Sequence, residues 1–134
     1  MDPPEAAVGV LRHVHSLLAP GATVLHLTCL PVSDRIEADG HVLGELDQAA
    51  FIASLPVVEG AVDLLIAEGF LVEETRLEHD VLVHFSSGPE ALAHFETTPH
   101  TRVPPELRVV LRDLDRPVVQ RAGCLWRRLR VARG

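Results

Sequence analysis

Apolar residues at helical spacing open the chain. In "MDPPEAAVGVLRHVHSLLAPG", Ala7, Val10, Leu11, Val14, Leu17 and Leu18 share one face, which leaves Arg12, His13 and Ser16 away from the core. Pro3 and Pro4 behind Asp2 suit a helix start, and Gly21 after Pro20 suits its end. The period then changes. "ATVLHLTCL" is short, β-branched at Thr23, Val24 and Thr28, and almost without polar alternation, which predicts a strand inside a sheet covered on both sides. From Pro31 to Leu46 no period holds, and Gly40, Gly44 and the mixed-charge run "SDRIEADGH" read as a looser connection.

A second apolar block follows, "LDQAAFIASLPVVEGAVDLLIAEGF". Asp47 can open a first helical segment. Pro56 lacks an amide donor and its ring crowds the preceding turn, so a second segment is expected from about Val57 to Glu68, closed by Gly69. Its apolar stripe is Val58, Val62, Leu65 and Ile66. "FLVEETRL" and "DVLVHFS" read as two strands or one bent strand. Gly88-Pro89 marks a turn before the short helix "PEALAHFE", Pro104 and Pro105 start another in "PPELRVVLRDL", and "CLWRRLRVAR" reads as a final strand. No internal repeat and no low-complexity segment interrupts this order.

Composition adds limits. The chain has 134 residues, enough for one domain, and 47% of them are hydrophobic, so a real core can form. With four Phe, one Trp and no Tyr, that core must be aliphatic. All twelve basic residues are Arg, a bias suggestive of a GC-rich, bacterial coding sequence. A formal charge of −7 argues against a nucleic-acid partner. The basic residues at the end, Arg121, Arg127, Arg128, Arg130 and Arg133, read as the solvated face of a terminal strand or as an anion- or partner-docking patch. Cys29 and Cys124 lack metal-ligand spacing and read as free buried thiols rather than a disulfide or a zinc site. The start of the chain lacks a secretory pattern, and no apolar run is of bilayer-crossing length, so a cytoplasmic protein without a membrane partner is expected.

Four segments, in this order, carry a resemblance. They are the helix, turn and strand of "DPPEAAVGVLRHVHSLLAPGATVLHLT", the helix, turn and strand of "VDLLIAEGFLVEETRL", the insertion "HFSSGPEALAHFETTP", and the closing "RRLRVARG". Together they resemble the C-terminal half of class I S-adenosylmethionine-dependent methyltransferases, covering Asp2 to Arg133. Leu18-Ala19-Pro20-Gly21-Ala22 is similar to the family's turn before strand five, and Glu68-Gly69-Phe70 to its turn before strand six. The resemblance implies an α/β fold, a partial Rossmann-like sheet in the order 5-7-6 with an antiparallel strand seven. It treats residues 1–134 as one truncated domain with an insertion or cap at about 84–116.

The family's cofactor half does not match. Its glycine-rich turn lets backbone amides approach the ligand, and an acidic residue holds the ribose hydroxyls. Here the nine glycines never form G-x-G, and the sequence opens where the family's fourth strand would have ended. No cofactor and no cofactor-binding residue is therefore expected. Strand five, Ala22–Leu30, would lose its neighbour and expose unpaired amides and carbonyls, a template for another strand. A homodimer joined antiparallel through this edge, or a partner protein covering it, is expected.

Candidate chemistry is sparse. His26 and Thr28 share a face of the first strand, and His26 reads either as a hydrogen-bonded core histidine or as a general acid or base, with His84 as a second catalytic candidate. Open α/β sheets bind ligands at the carboxyl ends of parallel strands. That rule nominates Cys29, Ser33 and Asp34 as substrate-binding residues, and the insertion adds His94, with Phe85 and Phe95 pinning it to the sheet. His13 and His15 do not face one another, His26 and Cys29 fall on opposite faces, and no metal-binding residue is nominated. Three functions follow: an accessory or binding subunit in small-molecule biosynthesis; a cofactor-independent cyclase, dehydratase or isomerase with a small-molecule pocket in a homodimer; or one half of a split methyltransferase.

Overall fold

Strand β5 (Val118–Val131) is the strand on which the sheet is assembled. The computed structural model describes residues 3–132. Before β5 they form α1 (Pro3–Ser16), β1 (Thr23–Cys29), β2 (Arg35–Ala38), β3 (His41–Glu45), α2 (Ala49–Ala67), β4 (Leu71–Phe85), α3 (Gly88–Glu96) and α4 (Pro105–Arg112). The strand order is β1-β5-β2-β3, and β4 also pairs with β5. Val131 N donates to Ala22 O and Leu30 N to Gly123 O, both at 2.9 Å, so β1 and β5 run antiparallel. β2 is antiparallel to both β3 and β5. The protein is mixed α/β with a mostly antiparallel sheet.

The sheet has five strands where three were expected. The stretch read as a loose connection is the β2–β3 hairpin, with Ala38 opposite His41. Its two turn residues, Asp39 (φ 52°) and Gly40 (φ 77°), both take the left-handed conformation that a tight hairpin with native twist requires. Asp and Gly tolerate it; a bulky residue does not.

The described chain divides into two compact units. Unit 1 holds the residues up to Thr28, Ser54–His79 and those from Leu125 onward; unit 2 holds Cys29–Ala53 and Asp80–Cys124. In unit 1, Val62, Leu65, Leu71, Leu129 and Val131 form the core, with Leu11, Leu18, Val24 and Phe70 packed against them. α1 docks through a different stripe from the one the periodicity predicts. Leu11 and Leu18 face the core and His15 is buried edge-on against Phe70 (5.0 Å), while Val10, Val14 and Leu17 are exposed. At the exposed margin of this contact Arg12 donates two hydrogen bonds to Glu68 (2.7 and 2.8 Å).

α2 continues through Pro56, where a break was expected. Proline removes one intrahelical bond at a cost of about 3 kcal/mol, and the burial of Ala61, Val62 and Leu65 farther along the helix offsets it. α2 is long and apolar enough to cross a membrane by length and composition, contrary to the sequence expectation. Glu59 and Asp63 on this helix nevertheless hold ion pairs to β5.

β1 is an edge strand, not a strand covered on both faces. Among the described residues it pairs with β5 alone. Its residues alternate: Val24 and His26 are partly buried, whereas Leu25 and Leu27 are 55% and 65% exposed.

Unit 2 packs Ile36, Leu46, Phe85, Ala91, Phe95, Leu107, Leu111 and Val118 into its own core. Phe85 and Phe95 meet edge to face at 5.4 Å, as expected of residues that pin the insertion. α3 begins with a reciprocal cap. Ser87 Oγ accepts from Glu90 N, and the Glu90 carboxylate accepts from the backbone N and hydroxyl of Ser86. Immediately beyond that cap, Gly88 N donates to Leu114 O at 2.8 Å, and a Cβ on Gly88 would lie 2.0 Å from Leu111 O. Backbone cannot yield as a side chain can. Gly88→Ala is predicted to destabilise the protein by about 1–3 kcal/mol or more, read as a lowered midpoint in urea; an unchanged midpoint would contradict this packing.

Candidate functional site

Unit 2 contains the stretch nominated for ligand binding. After β1 the chain turns through Leu30–Asp34 and forms a cavity of about 280 Å³ lined by Leu30, Ser33, Arg35, Glu45, Asp80 and Arg121, among others. Gly123 keeps the floor open, since a Cβ there would lie 3.1 Å from Leu30 Cδ1. Arg121 is held rigidly. Its Nε donates to Glu37 Oε2 (2.7 Å) and its Nη1 to Asp80 Oδ2 (3.0 Å). The hydrogen bond from Arg121 holds the Glu37 carboxyl below its usual range, against a smaller opposing effect of burial.

The nominated residues meet different fates. Ser33 lines the cavity. Asp34 is engaged by two amides, accepting from Gln120 Nε2 (2.7 Å) and Gln48 Nε2 (3.2 Å), while its own N donates to Gln48 Oε1 (2.8 Å). That carboxylate anchors the loop. Burial, followed by the charges of Cys124 and Asp34, pushes the Cys29 thiol up from the ordinary range. His94 lies against Phe85 (5.3 Å) and Phe95 (5.9 Å). His84 is exposed on β4.

His26 belongs to unit 1 and to a network that the sequence did not reveal. Its Nε2 donates to Glu59 Oε1 at 2.6 Å, so it is a hydrogen-bonded histidine of the inner face. The other oxygen of Glu59 accepts from Arg127 Nη1 (2.9 Å), Asp63 accepts from Nη2 (2.9 Å), and Glu73 from Nε (2.8 Å). Arg127 is only 1% exposed. Burial alone would lower the guanidinium's pKa, yet hydrogen bonds to Asp63 and Glu73 carry it upward. One cation thus joins α2, β4 and β5, with β1 attached through His26.

This corrects the reading of the terminal arginines as one solvated face. Arg127 is buried, Arg121 is bound to two carboxylates, and Arg128 and Arg130 are exposed beside Glu74 at 3.9 and 3.7 Å. Arg133 lies outside the described residues. The signal was present: in Leu125, Arg127, Leu129 and Val131 the arginine shares the parity of three buried residues. Among the described residues no group of three or more His, Cys, Asp or Glu is arranged to hold a metal ion. No protein-family model matches the chain, and neither does a curated protein or a solved structure.

The network carries a stability prediction. Arg127→Ala leaves three carboxylates without their shared cation and is expected to cost about 3 kcal/mol, the lower part of the range for a broken buried pair because those carboxylates keep some water. Chemical denaturation checks this; a loss below about 1 kcal/mol, the range of surface pairs, would refute it. A pH effect follows as well. Burial raises the Glu73 pKa, but hydrogen bonds from Arg76 and Arg127 outweigh it and the net pKa is lowered. A depressed carboxylate contributes stability above its unfolded pKa, and that stability is lost as pH falls through the folded value. The melting temperature should therefore drop on acidification through and below the usual carboxylate range, and Glu73→Gln should flatten that acid limb. An equally steep limb in the variant would contradict the assignment.

Proposed function

We propose that this protein is a methyltransferase-like accessory subunit, without an S-adenosylmethionine site of its own, that works by docking through the open edge of β1. The finer fold reading, a partial Rossmann-like sheet of the 5-7-6 kind, is supported by the strand neighbours: the last strand, β5, has β1 on one side and β4 on the other. One observation carries the docking reading. β1 pairs on one edge only and presents Leu25 and Leu27 to solvent, with none of the charged or proline residues that blunt natural edges.

A second copy of the chain is the occupant that suits this edge best. "TVLHLTC" is close to self-complementary about His26. Antiparallel pairing around a two-fold axis there sets Leu25 against Leu27 and Thr23 against Cys29, and opposes no like charges. The β1–β5 register points the amides of the odd-numbered residues, Leu25 and Leu27 included, away from β5 and toward such a partner. On the same face Trp126, opposite Leu27 in that register, forms a shallow depression with Leu77 and His79. The engagement of His26 by Glu59 and of Asp34 by two glutamines favours docking over acid–base catalysis. A small-molecule site is the second reading, and the cavity beside Ser33 favours it. We place the protein in the cytoplasm.

Light scattering after size exclusion at micromolar concentration tests the reading, with and without S-adenosylmethionine. The expected result is a dimer in both conditions, no cofactor binding by calorimetry, and for Leu25→Arg/Leu27→Arg a folded monomer whose melting temperature is lower than that of the dimer and no longer depends on concentration. A monodisperse wild-type monomer would overturn self-docking, and stoichiometric cofactor binding would overturn the accessory role.

A further inference from the structure

We propose that Cys29 and Cys124 form a reversible intrachain disulfide, making the end of β1 a thiol-oxidation site. Both thiols are free and partly buried. The bond from Leu30 N to Gly123 O fixes the local register, so the residue before Leu30 opposes the residue after Gly123: Cys29 faces Cys124. Leu30 and Gly123 are the hydrogen-bonded pair, which makes the cysteines a non-hydrogen-bonded pair. Such positions bring Cα atoms to about 4.5 Å, inside the roughly 4.4–6.8 Å that a disulfide spans. Cys124 is close enough to act on the Cys29 thiol, adding to the burial that holds it up. Geometry therefore asks for no movement of backbone, only rotation of two thiols.

The oxidant is a low-molecular-weight disulfide such as glutathione disulfide. One cysteine thiolate attacks a sulfur of the reagent and releases one small thiolate. The second cysteine, as thiolate, attacks the protein sulfur of this mixed disulfide and expels the other. Two protein thiols become one S–S bond, the reagent is reduced to two thiols, and the two protons end on those thiols. Because burial holds the Cys29 thiol up, exchange should quicken as pH rises. The product ties the end of β1 to β5 and secures the Leu30–Asp34 turn beside the cavity in unit 2. None of this depends on docking at the β1 edge, where a two-fold partner would set Thr23, not Cys29, against Cys29.

The test incubates the folded, full chain with glutathione disulfide and follows it by thiol titration, intact mass and non-reducing electrophoresis. The expected result is the loss of both titratable thiols, a mass lighter by two hydrogens, the mobility of a single chain, and full reversal by a dithiol reductant. Cys29→Ser and Cys124→Ser should each abolish the mass loss. Survival of both thiols, a persistent glutathione adduct or cross-linked chains would each overturn the proposal.

Discussion

A strand has two edges of backbone donors and acceptors, and every group on them must find a partner or water. In the second half of β5, one edge is taken by β1 and the other by β4. β1 therefore receives half of its hydrogen bonds from within the chain, and its outer edge is left to solvent or to another strand. The exposed leucines and uncharged sequence of β1 follow from the same circumstance: the strand has the composition of an interior strand at the position of an edge. The docking proposal rests on that mismatch.

What anchors β1 on its inner side is electrostatic as much as apolar. Arg127 is buried and needs its three carboxylates to remain there, because an unpaired buried charge is costly. Those carboxylates come from α2 and β4, so the guanidinium holds helix and strands in one arrangement. His26 extends the arrangement to β1 through Glu59. A side chain that looks catalytic in sequence is, in the fold, a link between the edge strand and its scaffold.

Much of the architecture was legible where local signals were strong. Gly88-Pro89 announces α3, Pro104 and Pro105 announce α4, and the apolar β-branched run announces β1. The β2–β3 hairpin was missed because its evidence is a two-residue turn, Asp39-Gly40, rather than a long period, although Ile36 and Ala38 alternate with polar neighbours. The continuity of α2 was missed because tertiary burial overrode the local penalty of Pro56. The rotation of α1 was missed for another reason: its apolar positions span a wide arc, and the part that faces inward is the one that packs, through Leu11 and Leu18, on core residues distant in sequence. Of the site, Ser33 lines the cavity although the rule that nominated it concerns parallel strands and β1 pairs antiparallel, and the partners of Asp34 and Arg127 come from distant segments that no local pattern connects.

The central claim, that the outer edge of β1 is completed by a second copy of the chain, is tested most directly by amide hydrogen exchange resolved by residue over a dilution series. In the β1–β5 register the amides of Val24 and His26 face β5, whereas those of Leu25 and Leu27 face outward. The account predicts slow exchange at Val24 and His26 at every concentration, and exchange at Leu25 and Leu27 that is slow in concentrated solution and accelerates on dilution. Fast exchange at Leu25 and Leu27 at all concentrations would show an edge open to water, and would contradict the account.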